Sequence, residues 1–313
     1  MSTSTLLTTG HVLQYESTFH SRYNLLYPTL PVHSKSIFGR IWRLLPSSIR
    51  LIAYKVLLHI SAKIWPAPII GGFGKQRLVF NMYCKYNGRI RESEVLATMF
   101  VAANTTIPVP RILDVIDDGG QLFVLMSRVP GVPAHSIFGT FDAATYDKFE
   151  PVLRDWLYQL RSLKPTSAVV GSVIGRAMIQ PRLSRNPIGP FIDIAAFHKW
   201  LLSFCAEDEG SPVYREFRNQ ARVRSFTKPH RLCFTHSDFG LHNMIVENGR
   251  LTGLVDFEGA GWLPEYWEYT GSMFCEYGPL WKDSMKRILP QYQDELEVEY
   301  YLWDATDPLV DPF

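Results

Sequence analysis

The chain has 313 residues, of which 46% are hydrophobic and 20% charged, and its formal net charge is +2. That composition supports a substantial buried core in one large domain or two lobes, and it excludes a disordered polypeptide. Its four cysteines, Cys84, Cys205, Cys233 and Cys275, are far apart and form no CxxC pair. They offer neither a zinc knuckle nor a disulfide framework, which points to a reducing, cytoplasmic setting.

The polar start "STSTLLTTG" lacks the basic and apolar regions of a secretory leader. Charge is unevenly spread. From Ser17 to Arg91 there are twelve Lys or Arg and no acidic residue, leaving 20 basic against 30 acidic residues elsewhere. A basic front suits a protein that holds an anion near its first third. A solvated basic face, or one that meets anionic lipid, is the alternative.

The first forty residues show no periodicity and read as an irregular extension. "PSSIRLIAYKVLLHISAKIW" then predicts a helix started by Pro46 and Ser47 or Ser48. Its charges are too many for a stable membrane span. The expected placement is against the domain, with weak contact to a membrane surface as the alternative. "QRLVF" and "MYCKY" predict two short strands around Asn81, and "GRIRESEVLATMFVAANT" a helix with Val95, Leu96, Met99 and Phe100 on one side. "IPVPRILDVID" and "QLFVLM" predict two further strands around the turn "DDGG".

Beyond "SRVPGVPA" the pattern turns helical. "DAATYDKFEPVLRDWLYQLRSLKP" carries apolar residues at helical spacing up to Pro165, and "DIAAFHKWLLSFCAED" predicts another helix. A strand, "RLCFTH", leads into the loop "SDFGLHN". A hairpin follows, "MIV-ENGR-LTGLVDF", marked by Asn248-Gly249, and "PEYWEYTGSMFCEY" resumes helix. The expected fold class is α+β. It comprises an N-terminal extension with a basic helix (1–66), a small antiparallel sheet lobe with one helix (67–128) and a larger, mainly helical lobe (129–313).

The loop concentrates chemistry. Asp238 and Asn243 are five apart, and Asp256 lies thirteen beyond Asn243, across a tight hairpin that returns the chain to its start. Two carboxylates and an amide oxygen in one small region suit Mg²⁺, which takes a few protein oxygens and completes its shell with substrate phosphates. A lone Asp in a turn is ordinarily a cap; the paired spacing favours a catalytic reading. His236 reads as a residue that hydrogen-bonds the loop backbone, and His242 has no assigned role. The aromatics Trp262, Tyr266, Trp267 and Tyr269 read as packing.

The strings "FTHSDFGLHNMIV", "GLVDFEGAGWLPEYWEY", "NTTIPVPRILDV", "FVLMSRVPG" and "RLVFNMYCKY" resemble the aminoglycoside phosphotransferase and choline kinase branch of the protein-kinase-like superfamily, particularly its fungal members. The resemblance spans roughly residues 40 to 280 and implies a two-lobed kinase-like fold. It implies that Asp238 orients or deprotonates an acceptor hydroxyl while Asn243 and Asp256 hold Mg²⁺. Lys85 would contact the nucleotide phosphates, with Glu94 or the nearby Glu92 as its ion-pair partner. The stretch Leu125 to Val129, with Met126 and Arg128, would be the hinge that meets the nucleotide base. Glu258 is a further candidate for the metal region.

The implied cofactors are ATP or GTP with Mg²⁺, and the implied partner is a hydroxyl-bearing small molecule, not nucleic acid. One departure concerns the glycine-rich loop: "GGFGKQR" places Arg77 where a third glycine would stand, and it is not a Walker A sequence. Val79 and Asn81 likewise stand where related sequences carry Pro and Gly. A catalytically silent, kinase-fold binding protein is therefore the rival reading. A metal-dependent hydrolase using His236, Asp238 and His242 would need further ligands. The acidic residues Glu258, Glu265, Glu268, Glu276 and Asp283 could attract a cationic acceptor or simply be solvated.

Overall fold

The computed structural model describes residues 37–65, 75–86, 92–180, 182–203 and 226–305, with isolated positions 212, 215, 216 and 219. The expected glycine-rich loop residues Gly72 and Gly74 lie outside the described residues, as does Cys205.

Two helices, α1 (Ile37–Trp42) and α2 (Ser47–Ile64), precede a four-stranded antiparallel sheet. Its strands are β1 (Lys75–Leu78), β2 (Met82–Tyr86), β3 (Ile112–Asp118) and β4 (Gln121–Ser127), in the order β1-β2-β4-β3. Helix α3 (Glu92–Asn104) intervenes between β2 and β3. The hairpin between β1 and β2 turns through Phe80 and Asn81, both left-handed at φ 60° and 59°. Asn tolerates that region readily and Phe does not.

The sheet is covered on both faces. Leu51, Tyr54 and Leu58 of α2 pack with Leu78, Cys84, Ile116, Phe123 and Leu125, whereas Val95 of α3 packs with Ile112, Val124 and Met126. Period-2 alternation thus sends β4 side chains to two different helices. Helix α2 is fixed in rotation by Arg50, which ion-pairs with the buried Asp114, and by Tyr54, whose hydroxyl donates to the same carboxylate at 2.9 Å.

After the short strand β5 (Val132–Pro133) comes α4 (Ala143–Ser162). Asp142 caps it by accepting from the Thr145 N–H at 2.8 Å, and Tyr146, Phe149, Leu153, Trp156, Leu157 and Leu160 form its buried stripe. The segment from 165 to 192 contains three short strands, β6 (Gly171–Ser172), β7 (Met178–Gln180) and β8 (Ser184–Ile188), before α5 (Ile194–Ser203). Strands β9 (Leu232–Thr235), β10 (Met244–Glu247), β11 (Arg250–Leu254) and β12 (Gly261–Pro264) follow, then α6 (Trp267–Phe274), α7 (Pro279–Ile288) and α8 (Gln293–Ala305). β10 and β11 form the expected hairpin, with Asn248 and Gly249 both at positive φ.

The large core joins α4 to the loop-bearing strands and to α6 and α7, and it also takes in Ala97 and Val101 of α3. The linker between sheet and helical region is laid along the hairpin. β5 pairs with β10, and Thr252 Oγ1 donates to Pro130 O at 2.6 Å; the connection from α3 to β3 joins the same hairpin, where the Leu254 N–H donates to Pro108 O at 2.9 Å. Gly131, at φ 115°, sits so close to the Val246 carbonyl that a Cβ could not be accommodated. No described helix is long and apolar enough to cross a membrane.

Candidate active site

Strand β9 ends at Thr235 in the core, and the chain turns sharply through Ser237, at φ 70°, into Asp238. Such a conformation for a non-glycine residue persists only where surroundings hold it. Glu268 of α6 provides the hold: its two carboxylate oxygens accept the N–H groups of His236 at 2.7 Å and Ser237 at 3.0 Å. His236 is fully buried, and its Nε2 donates to Val255 O at 3.1 Å, tying the loop to the residue before Asp256. Burial lowers its pKa, so it is a neutral structural imidazole. Asp256 is itself left-handed at φ 65°. Gln180 steadies the turn beyond it, donating to Gly259 O at 2.7 Å and accepting from Trp267 Nε1 at 3.0 Å.

Around Asp238 the geometry is specific. His242 Nε2 and Asn243 Nδ2 both donate to Asp238 Oδ2, each at 2.8 Å, and Asn243 Nδ2 also donates to Asp238 O at 2.9 Å. With its amide nitrogen so used, Asn243 can offer a cation only its amide oxygen. On the far side of the imidazole, Nδ1 accepts a short hydrogen bond from the Tyr277 hydroxyl. Burial is the largest influence on Asp238 and works against its ionised form, but the hydrogen bond from His242 and the two nearby imidazoles together outweigh it and keep the carboxyl below its ordinary pKa. It is therefore a carboxylate at neutral pH.

Lys85 lies across from this loop on β2, buried, with its ammonium between two carboxylates. It contacts Glu94 of α3 closely and donates to Asp256 Oδ1 at 2.6 Å. Burial alone would lower the Lys85 pKa. The charges of Glu94 and Asp256 reverse that and hold it well above the usual lysine range. Glu92 instead pairs with Arg176 at 3.2 Å. Oxygens of Glu94, Asp256 and Glu258 lie within 4.8 Å of one another. This all-oxygen set has the hard-donor chemistry that suits Mg²⁺ rather than a softer metal.

A cavity of about 300 Å³ opens between sheet and loop, lined among others by Lys85, Glu94, Met126, Arg128, Asn243 and Asp256. The structure therefore brings six of the seven sequence-selected residues to one cavity wall. The seventh, Asp238, adjoins them through Asn243. The Arg128 guanidinium donates to Gly131 O at 2.8 Å, and its backbone N–H to Asn81 O at 3.0 Å, so this residue also braces the linker.

Sequence reasoning missed three participants. His242 carried one signal, its spacing of four from Asp238, but Tyr277 and Gln180 carried none, because each reaches the loop through tertiary packing. Of the acidic residues considered for attracting a cation, Glu268 is buried on the backbone and Glu265 pairs with Arg231 at 2.9 Å. The four aromatics are buried, as packing requires.

An antiparallel sheet with one helix, followed by a mainly helical region with a loop at its mouth, is a protein-kinase-like α+β architecture, and solved structures of that class match it. A thermostable mutant of aminoglycoside phosphotransferase APH(4)-Ia, in ternary complex with ADP and hygromycin B, is similar at 13% identity with a TM-score of 0.56, covering 76% of this chain and 82% of the other. Aminoglycoside phosphotransferase APH(4)-Ia gives a TM-score of 0.51 at 13% identity, with 72% and 76% covered. APH(2'')-IIa, in a streptomycin and ATP ternary complex, gives 0.50 at 14% identity, with 79% and 85% covered. A comparison with curated protein sequences found no match. The model of the phosphotransferase enzyme family, APH, matches residues 91–309, and the chain belongs to that family.

Proposed function

We propose that the chain is a small-molecule kinase that moves the γ-phosphoryl group of ATP or GTP to a hydroxyl of its acceptor with Mg²⁺. One observation carries the reading: Lys85, Glu94 and Asp256 are locked together in the lining of a cavity that Asn243, one hydrogen bond from Asp238, also lines. Phosphoryl transfer requires positioned groups and neutralised oxygen charge more than covalent chemistry. Lys85 would neutralise phosphate oxygens, with Glu94 fixing its ammonium. Asn243 and Asp256 would hold Mg²⁺, with Glu258 close by; the ion would draw negative charge from the transferring group.

Asp238, kept ionised by His242, would orient the acceptor hydroxyl and accept its proton. Both side-chain donors fall on its Oδ2, so Oδ1 is the oxygen offered to the acceptor. Met126 and the hinge around Arg128 would meet the base. Placement in the fungal branch of the family rests on the resemblance of the residue strings. A cytoplasmic setting is part of the same proposal, and the described cysteines Cys84, Cys233 and Cys275 are free and buried.

Replacing Asp238 by Ala should lower kcat by about 10²- to 10⁴-fold while leaving the thermal unfolding transition in place. The assay is acceptor-dependent nucleotide consumption, with the acceptor found by mass gain in a metabolite extract. Turnover at the wild-type level in that variant would remove the assignment.

One observation favours a silent binding protein instead: the Lys85 ammonium already occupies Asp256 Oδ1, an oxygen that a metal would need. Nucleotide calorimetry with and without Mg²⁺ separates the two readings. Metal-independent binding, with no acceptor consumed, would establish the silent one.

A further inference from the structure

We propose that the outer face of α1 and α2 is a docking surface for an anionic lipid bilayer. The nucleotide cavity borders α3, on the sheet face opposite α2, so this surface stands apart from the proposed kinase site.

Helix α2 has two apolar faces. Leu51, Tyr54, Leu58 and Ser61 bury the inner one against the sheet. On the outer one Ile52, Val56, Ile60 and Ile64 repeat every four residues and are 64%, 53%, 45% and 55% exposed, with Ile49 in line at 48%. On α1, Ile37 and Ile41 are one turn apart at 75% and 60% exposed, and Leu44, between the helices, is 82% exposed. Isolated exposed aliphatics need no explanation, but a row of them repeating along one helix face, with more on the preceding helix, marks an interaction site. Helix α2 cannot roll to hide the stripe, because Arg50 and Tyr54 fasten it to Asp114.

Charge identifies the occupant. Lys55, His59 and Lys63, also spaced by four, run beside Val56, Ile60 and Ile64, one position ahead of each, and all three are exposed. Arg40 is exposed on α1. Lys55 reaches Asp118 Oδ2 at 2.7 Å from a half-exposed position. Neither helix contains an acidic residue, and none occurs from Ser17 to Arg91. An aliphatic row bordered by cations fits acyl chains beneath anionic headgroups. A protein partner would favour aromatic anchors. Among the described side chains the exposed row is aliphatic, and Trp42 turns inward to donate to the Tyr54 hydroxyl at 2.7 Å.

The test is sedimentation of the full chain with phosphatidylcholine vesicles, with and without phosphatidylserine. The wild type should pellet with the phosphatidylserine vesicles and release as salt is raised. Ile52→Ser/Val56→Ser/Ile60→Ser should cut partitioning by about tenfold or more, and Lys55→Gln/Lys63→Gln should erase the preference for phosphatidylserine. Circular dichroism checks that each variant is folded. If the triple variant does not fold, the lysine pair and the salt dependence decide. The proposal is overturned if the wild type stays in the supernatant, or if the triple variant pellets as well as wild type. It is also overturned if light scattering finds a wild-type dimer that the triple variant dissolves, since a second copy would then cover the row.

Discussion

A carboxylate can take a proton from an alcohol only if its lone pairs point to where the alcohol arrives. For Asp238, the base in the proposed reaction, that aim would be set by His242 and Asn243 together, and His242 is in turn held by the Tyr277 hydroxyl at Nδ1. Because Tyr277 reaches Asp238 only through His242, the two should behave as one unit. We expect His242→Phe and Tyr277→Phe each to lower kcat by about ten- to a hundredfold with KM for nucleotide unchanged. The double variant should be no worse than His242→Phe alone. Additive losses in steady-state kinetics would show that Tyr277 acts independently. The oxygen-bearing residues were legible because the turn and hairpin lengths fix their separation. Tyr277 lies 35 residues beyond His242, in the connection between α6 and α7, and no local spacing encodes that meeting.

Helix α6 acts on the loop as an element. Glu268, in its first turn, replaces the partners that the His236 and Ser237 N–H groups would otherwise lack. Burial pushes its carboxyl up to about 7 from an ordinary value of 4.5, although both N–H donors pull the other way. The folded state therefore holds a proton that the unfolded chain has released. Its contribution to stability is complete below about pH 4.5 and is lost as pH rises through about 7. Urea unfolding should show this decline in the wild type and lack that component in Glu268→Gln, which should also cost about 1–3 kcal/mol by misaligning one acceptor. An unchanged pH slope in the variant would show that another group titrates.

Long elements such as α2, α4 and the β10–β11 hairpin could be read because periodicity and turn residues act over many positions. The three strands from 171 to 188 could not. With two to five residues each, they are held by neighbours distant in sequence, and local propensity is too weak to announce them.

Across the whole molecule, Lys85 joins the sheet to the helical region through Asp256, so a metal must share or displace that contact. Nucleotide phosphates would draw the ammonium towards themselves and release the Asp256 oxygen. Mg²⁺ and nucleotide should therefore bind cooperatively, each tightening the other by the same factor, about tenfold or more in calorimetric titrations. Equal Mg²⁺ affinity with and without nucleotide would rule this coupling out. The order of sheet and helices was evident along the chain and the resemblance implied the Lys85–Glu94 pair, but the contact of Lys85 with Asp256 was not legible, since it joins residues 171 apart.

Helix α3 belongs to two interiors at once: Val95 lies with the sheet, while Ala97 and Val101 lie in the large core. Swinging it outward to part Glu94 from Lys85 would strip oil from both compartments together. If the proposed kinase has an off state made by tilting that helix, reaching it would sacrifice apolar burial on both sides at once.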